Sequence, residues 1–165
     1  VFDPENIIEK ESIDSLAVFN TIFKGGMPEL YDIEDMDRDL FFDSYIQTYL
    51  ERDVKKYINP SNLITFRKFI QEIAIRTGTT LNYSDIASDI GITSNTVKEW
   101  MSILVASGLV YLLEPFSTSK LKRLTHLPKI IFMDMGLACY LSNWNSVNDL
   151  LSSPESGRYF EKAAE

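Results

Sequence analysis

Residues able to recognise nucleic acid recur at helical spacing within LNYSDIASDIGITSNTVKEWMSILVASGLV, residues 81–110. In a helix starting near residue 94, the outward positions are Ser94, Asn95, Lys98, Glu99 and Ser102. Asn95 can hydrogen-bond the edge of an adenine, and Lys98 can contact a guanine or a phosphate. Asn95, Lys98 and Ser102 are therefore candidate nucleic-acid-binding residues on one helix face.

A basic loop follows this segment. No acidic residue interrupts Pro115 to Met133, and the same stretch carries four cations that can neutralise backbone phosphates, namely Lys120, Lys122, Arg123 and Lys129. A loop of this charge beside a helix-turn-helix is typical of a wing that lies against DNA.

The local signals predict the elements that would position these side chains. Asn82 is expected to cap a short helix over 83–90, and Gly91 suits the turn of a helix-turn-helix. A second helix is expected to run to about Ser107, with Val97, Trp100, Met101, Leu104 and Val105 on or beside its inner face. Two β-rich runs, 109–116 and 129–134, flank the basic loop. We therefore predict a mainly α fold that contains a winged helix-turn-helix with a small β wing.

The distribution of charge supports two different functions. The chain of 165 residues has a formal net charge of -8, but 61–133 carries 8 basic and 5 acidic side chains, whereas 1–60 carries 6 and 14. The basic segment favours contact with double-stranded DNA. The acidic surroundings, with Glu99 beside Lys98 and both Asp85 and Asp89 nearby, favour a protein-docking winged helix instead. In that alternative, the basic loop meets the acidic N-terminal segment of the same chain or of a partner subunit.

Several kinds of catalytic and metal site are not supported. The sequence has no phosphate-binding G-x-x-x-x-G-K-[ST] loop and no G-x-S-x-G nucleophile motif. With one cysteine, Cys139, and one histidine, His126, neither a disulfide nor a zinc site is expected, and a reducing, cytoplasmic compartment is favoured. The acidic run 32–39 lacks the Gly and distal Glu of an EF-hand loop, so we interpret it as a solvated loop or helix start.

Three residues are of a type that can act in catalysis, but a structural role is favoured for each of them. Asp134 lies where a strand gives way to a helix and is expected to cap the helix. Arg52 can act in principle as an arginine finger, but a local ion pair with Glu51 or Asp53 is favoured. Glu161 is a single carboxylate, which is insufficient for two-metal chemistry. No catalytic residue, cofactor or metal is therefore predicted within this chain.

The N-terminal part is predicted to be helical. A helix over about 40–58 is expected to bury an apolar stripe that consists of Leu40, Phe41, Tyr45, Ile46, Tyr49, Leu50, Val54, Tyr57 and Ile58. The predicted organisation is a helical subdomain over 1–60, interpreted as an ATPase lid-like region, a winged helix over 61–142, and a linker with the start of a following domain over 143–165.

The order of five motifs resembles that of a known family. GGMPELYD, YIQTYLERDV, the helix-turn-helix, KRLTHLPKIIFMDMGLACYL and GRYFE follow one another as in bacterial and archaeal AAA+ superfamily ATPases that carry a domain of unknown function after the ATPase core. The resemblance covers about 25–161. It implies a P-loop ATPase core before this region and a PD-(D/E)xK nuclease-like domain after it, with Glu161 matching an early glutamate of the latter.

The resemblance also sets expectations about partners. ATP and Mg²⁺ are implied only for the intact protein, and the expected partners are its own ATPase core and nuclease-like domain, DNA, and further copies of the chain. No membrane association is expected. Because the sequence begins with Val and ends inside a predicted helix, we expect it to be a part of a longer protein.

Overall fold

The computed structural model describes residues 14–115 and 127–163. The helices are α1 (Ser15–Lys24), α2 (Glu29–Asp32), α3 (Arg38–Tyr49), α4 (Leu63–Ile75), α5 (Tyr83–Ile90), α6 (Ser94–Ala106), α7 (Met135–Leu141), α8 (Val147–Ser152) and α9 (Ser156–Ala163), and the strands are β1 (Val110–Leu113) and β2 (Lys129–Phe132). One π-helical turn (Leu50–Val54) continues α3, and one 3-10 turn (Pro60–Asn62) precedes α4. The predicted mainly α fold with a small β wing is confirmed. No helix in the described ranges is long and apolar enough to cross a membrane.

The winged helix consists of α4, α5, α6 and the antiparallel pair β1–β2. The register pairs Val110 with Phe132 and Leu113 with Lys129. The segment 78–81 pairs with the free edge of β2 through an isolated antiparallel bridge between Thr80 and Lys129: Gly78 N–H donates to Ile130 O at 2.7 Å, and Ile130 N–H donates to Thr79 O at 2.9 Å. This pairing, which the sequence analysis missed, joins the start of the helix-turn-helix to the wing.

One hydrophobic core runs through the described residues. It extends from Phe19 in α1 to Tyr159 in α9 and therefore crosses both predicted domain boundaries. At its centre, the ring of Trp100 packs edge-on against Phe66 and Phe69, with centroid distances of 5.1 and 5.5 Å. The division into three domains stays a prediction, but the residues on either side of each boundary pack together.

Three side chains that were predicted to be buried are exposed. Tyr57 is 74% exposed, Leu40 66% and Val105 39%, whereas Phe42 is fully buried. Leu40 lies in the first turn of α3, at the surface of the molecule. The π-helical turn contains more residues than an α-helical turn, so it changes the helical phase before Tyr57. Val105 lies in the last turn of α6, at the edge of the buried face.

Asp134 holds α7 and α1 together. Its Oδ1 accepts a hydrogen bond from Leu137 N–H at 2.7 Å, which confirms the predicted cap, and its Oδ2 accepts from Gly26 N–H at 2.8 Å. One carboxylate therefore satisfies exposed donors on two elements far apart in sequence.

Two glycines let the same helices approach closely. A Cβ on Gly136 would lie 2.5 Å from Lys24 O and 2.6 Å from Gly25 Cα. Arg38 closes this contact from α3, donating from Nε to Phe23 O at 2.8 Å and from Nη2 to Gly136 O at 3.1 Å. Its guanidinium carbon lies 3.8 Å from the centroid of the Phe23 ring, a cation–π geometry.

The C-terminal segment also contributes to the core. The region 143–157, predicted to be polar and turn-rich, contains α8 and the start of α9. Leu150 is buried, and the buried Tyr159 donates from its hydroxyl to Ser142 Oγ at 3.0 Å while it accepts from Trp144 Nε1 at 3.2 Å. Helix α9 is therefore anchored to the rest of the fold.

The close contact at Gly136 predicts the result of adding one methyl group. Gly136→Ala should lower the free energy of unfolding by about 3 kcal/mol, because the new Cβ overlaps backbone atoms of α1. Gly157→Ala is the matched control, since Gly157 also occupies the second position of a helix but has no atom within 4 Å of its would-be Cβ. It should be neutral or stabilising by up to about 1 kcal/mol. Urea denaturation measures both, and equal effects would contradict the contact.

Burial also predicts the reactivity of the cysteine. Desolvation raises the pKa of the buried Cys139 thiol to about 12. The thiol should therefore stay protonated and unreactive toward a disulfide reagent at about pH 8 in the folded chain, and react rapidly in denaturant. Rapid labelling of the folded chain would place Cys139 outside the core.

Candidate nucleic-acid interface

The first helix of the helix-turn-helix has the predicted boundaries and cap. Asn82 Oδ1 accepts from Ser84 N–H at 3.0 Å and Asp85 N–H at 3.4 Å, while its amide donates to Asp85 Oδ2 at 2.7 Å. The helix ends at Gly91, whose φ of 77° and ψ of 37° lie in the left-handed region. The capping side chain and the glycine thus fix both ends of α5.

The cap of α6 orients the candidate recognition helix. Thr93 Oγ1 accepts from Thr96 N–H at 3.1 Å, so the helix begins at Ser94. The buried face of α6 comprises Val97, Trp100, Met101 and Leu104. Because a helix repeats every 3.6 residues, burial of this face turns the predicted contact residues outward.

The structure brings together the three predicted contact residues of α6. Asn95, Lys98 and Ser102 are all exposed, and the sequence-predicted acid on the same face, Glu99, is exposed as well. The Lys98 ammonium lies 5.5 Å from the centroid of the Tyr83 ring, toward the start of α5. The face therefore offers an amide, a hydroxyl and a cation, together with one carboxylate.

The predicted repulsion from α5 is reduced by an ion pair. Arg76 at the end of α4 forms salt bridges with Glu72, at 2.5 Å, and with Asp89. Burial would lower the pKa of Arg76, but the hydrogen bonds to Glu72 and Asp89 outweigh burial and raise the pKa. Arg76 therefore offsets part of the negative charge of Asp89 beside the turn, because its single positive charge is shared with Glu72.

Of the four predicted wing cations, only Lys129 lies within the described residues. Lys129, on β2, lies with Nζ 3.7 Å from Glu161 Oε1, so it is paired with α9 rather than directed at the α6 face. Lys120, Lys122 and Arg123 lie outside the described residues, as does most of the predicted wing loop and His126. Their contact with phosphate stays a prediction.

A cleft of about 470 Å³ lies along the C-terminal half of α6. One wall carries Asp53, Lys56 and Tyr57, and the other consists of residues of α6, namely Ser102, Ile103, Ala106 and Ser107. Sequence reasoning missed the approach of Lys56 to α6 because Lys56 and Ser102 are 46 positions apart in sequence and only tertiary packing brings them together. The exposed lysines in ERDVKKY were the available signal.

A second cavity, of about 580 Å³, lies between α1 and the outward face of the wing sheet. Its lining includes Ile22 from α1, Tyr111 on β1, and Met133 and Asp134 just after β2. Both carboxylate oxygens of Asp134 already accept backbone hydrogen bonds. The cavity is therefore mostly apolar, and the carboxylate of Asp134 is occupied by structural hydrogen bonds.

A protein-family model described as a domain of unknown function, DUF8612, matches residues 16–148. The chain belongs to this family. The DUF8612 match begins in α1 and ends in α8, so it includes the helix-turn-helix, both strands and the contact between Gly25 and Gly136. No curated protein and no solved structure matches the chain.

Arg52 and Glu161, the other two residues that were weighed for catalysis, both form ion pairs within the chain. Arg52 pairs with Asp53, with Nε 3.2 Å from Oδ1, which confirms the predicted local ion pair. Glu161 pairs with Lys129. Over residues 14–115 and 127–163, no group of three His, Cys, Asp or Glu side chains is placed to hold a metal ion.

The turn geometry predicts how substitutions at Gly91 behave. No atom lies within 4 Å of a Cβ added there, so the cost of a side chain is confined to the left-handed backbone. Gly91→Val should be destabilising by about 2 kcal/mol, and Gly91→Asn by less than 1 kcal/mol, because Asn tolerates positive φ. Thermal and urea unfolding measure the difference. Equal stability of the two variants would contradict a left-handed residue at this turn.

Proposed function

We propose that this DUF8612 chain is a winged-helix module that contacts double-stranded DNA weakly, through the exposed face of α6 and the basic wing. The observation that carries the proposal is the common exposure of Asn95, Lys98 and Ser102 on a helix whose opposite face is buried. Such a helix can present its N-terminal half to a major groove.

Each residue has a distinct proposed role. Asn95 reads a base edge, for which adenine is the natural partner of an amide, and Lys98 contacts a phosphate or guanine. Lys120, Lys122 and Arg123 supply phosphate charge from the wing. Lys129 contributes to this charge only if its pair with Glu161 opens, because the ammonium is already within 3.7 Å of that carboxylate.

The wider context is proposed from the sequence resemblance. The five ordered motifs support a place for this region in an AAA+ superfamily ATPase, between the ATPase core and a nuclease-like domain. In that arrangement the intact protein binds ATP and Mg²⁺, and residues 1–165 carry out no catalysis.

Protein docking is the second candidate function. The cavity beside the wing sheet favours it, because Tyr111 and Met133 expose apolar side chains there. The occupant implied by the resemblance is the ATPase core of the same protein. Absence of DNA binding at low salt, together with binding of the separately produced core, would favour this candidate.

The experiment is a titration of fluorescently labelled duplex DNA with the chain, at low and at physiological salt. Binding should be weak and salt-sensitive. Lys98→Gln should weaken it for all sequences and reduce the salt slope by about one, as should Lys122→Glu with Arg123→Glu to a greater extent. Asn95→Ala should change sequence preference while it leaves the salt slope unchanged.

The control is Lys68→Gln, which removes one exposed cation from α4 outside the proposed interface. It should leave affinity nearly unchanged. If Lys68→Gln weakens binding as much as Lys98→Gln does, attraction is set by net charge alone and the α6 face is not the interface. If the unaltered chain does not bind duplex DNA at low salt, the proposal is wrong.

A further inference from the structure

The turn that follows α3 is held firmly beside α6. Lys55 N–H donates to Leu50 O at 3.0 Å, Tyr57 N–H to Val54 O at 2.8 Å and Ile58 N–H to Val54 O at 3.1 Å. Val54 and Ile58 are buried in the core. The intervening residues 55–57 are exposed, so two buried anchors and local hydrogen bonds fix the backbone from which their side chains project.

This turn presents positive charge. Lys55 and Lys56 are exposed, and among the described residues neither takes part in a salt bridge. The preceding acid in the sequence, Asp53, is paired with Arg52, with Nε 3.2 Å from Oδ1 and Nη2 3.3 Å from Oδ2. The turn therefore carries an excess of cations even though the N-terminal part of the chain is acidic.

Packing places this charge next to the proposed recognition helix. Tyr49 Oη lies 2.9 Å from Ser107 Oγ, a hydrogen bond that joins the end of α3 to the end of α6. Lys56 and Tyr57 line the cleft of about 470 Å³ whose other wall includes Ser102. Ser102 follows Lys98 by one helical turn on the same exposed face. The cleft thus continues the surface formed by Asn95, Lys98 and Ser102.

We infer that this cleft binds the phosphodiester backbone of duplex DNA and extends the α6 interface. The Lys56 ammonium pairs with a phosphate, and the Tyr57 ring packs against a deoxyribose. The Ser102 hydroxyl, which donates to Glu99 O at 2.6 Å in the free chain, turns to donate to the same backbone. The inference rests on the proposed function, because it requires a duplex seated against α6. Positive charge beside a hydroxyl-lined cleft suits phosphate, which most side-chain contacts to DNA engage.

The two charges of opposite sign in one cleft allow a paired test. In the duplex titration, Lys56→Gln should weaken binding for every sequence and reduce the salt slope by about one. Asp53→Asn should strengthen binding about two- to fivefold, because it removes an anion and frees Arg52. The matched controls are Lys68→Gln and Asp32→Asn, which make the same charge changes at exposed positions that do not line the cleft.

The outcomes separate this inference from the proposed function. Opposite effects of Lys56→Gln and Asp53→Asn, each larger than that of its control, support the cleft as a backbone site. If the unaltered chain binds and Lys98→Gln weakens binding but Lys56→Gln behaves like Lys68→Gln, the inference is overturned and the proposed function stands. If the unaltered chain binds no duplex at low salt, both are overturned. Circular dichroism and thermal unfolding check that each variant keeps the fold, as expected for exposed side chains.

Discussion

The burial of one face of α6 against α4 is the constraint from which the candidate interface follows. Trp100 packs edge-on against Phe66 and Phe69 of α4, and Val97 and Leu104 are buried on the same face of α6. A helix with this buried stripe can adopt only one rotation about its axis. The exposure of Asn95, Lys98 and Ser102 is therefore a consequence of packing on the other side of the helix.

A second constraint attaches the acidic N-terminal helices rigidly to the winged helix. The backbones of Gly25 and Gly136 meet without side chains between them, Asp134 bonds to both elements, and Arg38 closes the contact. Burial lowers the pKa of Arg38, while the nearby carboxylates of Asp39 and Asp134 oppose that shift. Because α1 and α3 are fixed in this way, the turn after α3 has a defined position beside α6 rather than a variable one.

Features that depend on a few neighbouring residues could be predicted from the sequence. Asn82, Gly91 and Thr93 each act within about four positions, so the boundaries of α5 and α6 could be predicted closely. Long-range packing was not accessible in this way. The pairing of 78–81 with β2 depends on residues about 50 positions apart, and the exposure of Tyr57 depends on a π-helical turn with no distinct sequence signal. The candidate site was accordingly predicted on α6 and missed at Lys56.

The proposed contact with DNA is compatible with the net charge of the chain because electrostatic attraction is local. At physiological salt, charges separated by more than about 8 Å in solvent are largely screened, so distant carboxylates oppose DNA only weakly. Several acids are also compensated internally: Arg67, 2.6 Å from Asp43, holds the pKa of that carboxyl below its usual value, and Arg76 pairs with Asp89. The described charges of the α6 face are Lys98 and Glu99, and the adjacent turn adds Lys55 and Lys56, so the proposed binding by one copy should be weak and salt-sensitive. Weak modules become effective when several act on one ligand, since each linked contact raises the local concentration for the next. An assembly of several chains on one duplex would therefore gain affinity without any stronger contact in the single winged helix.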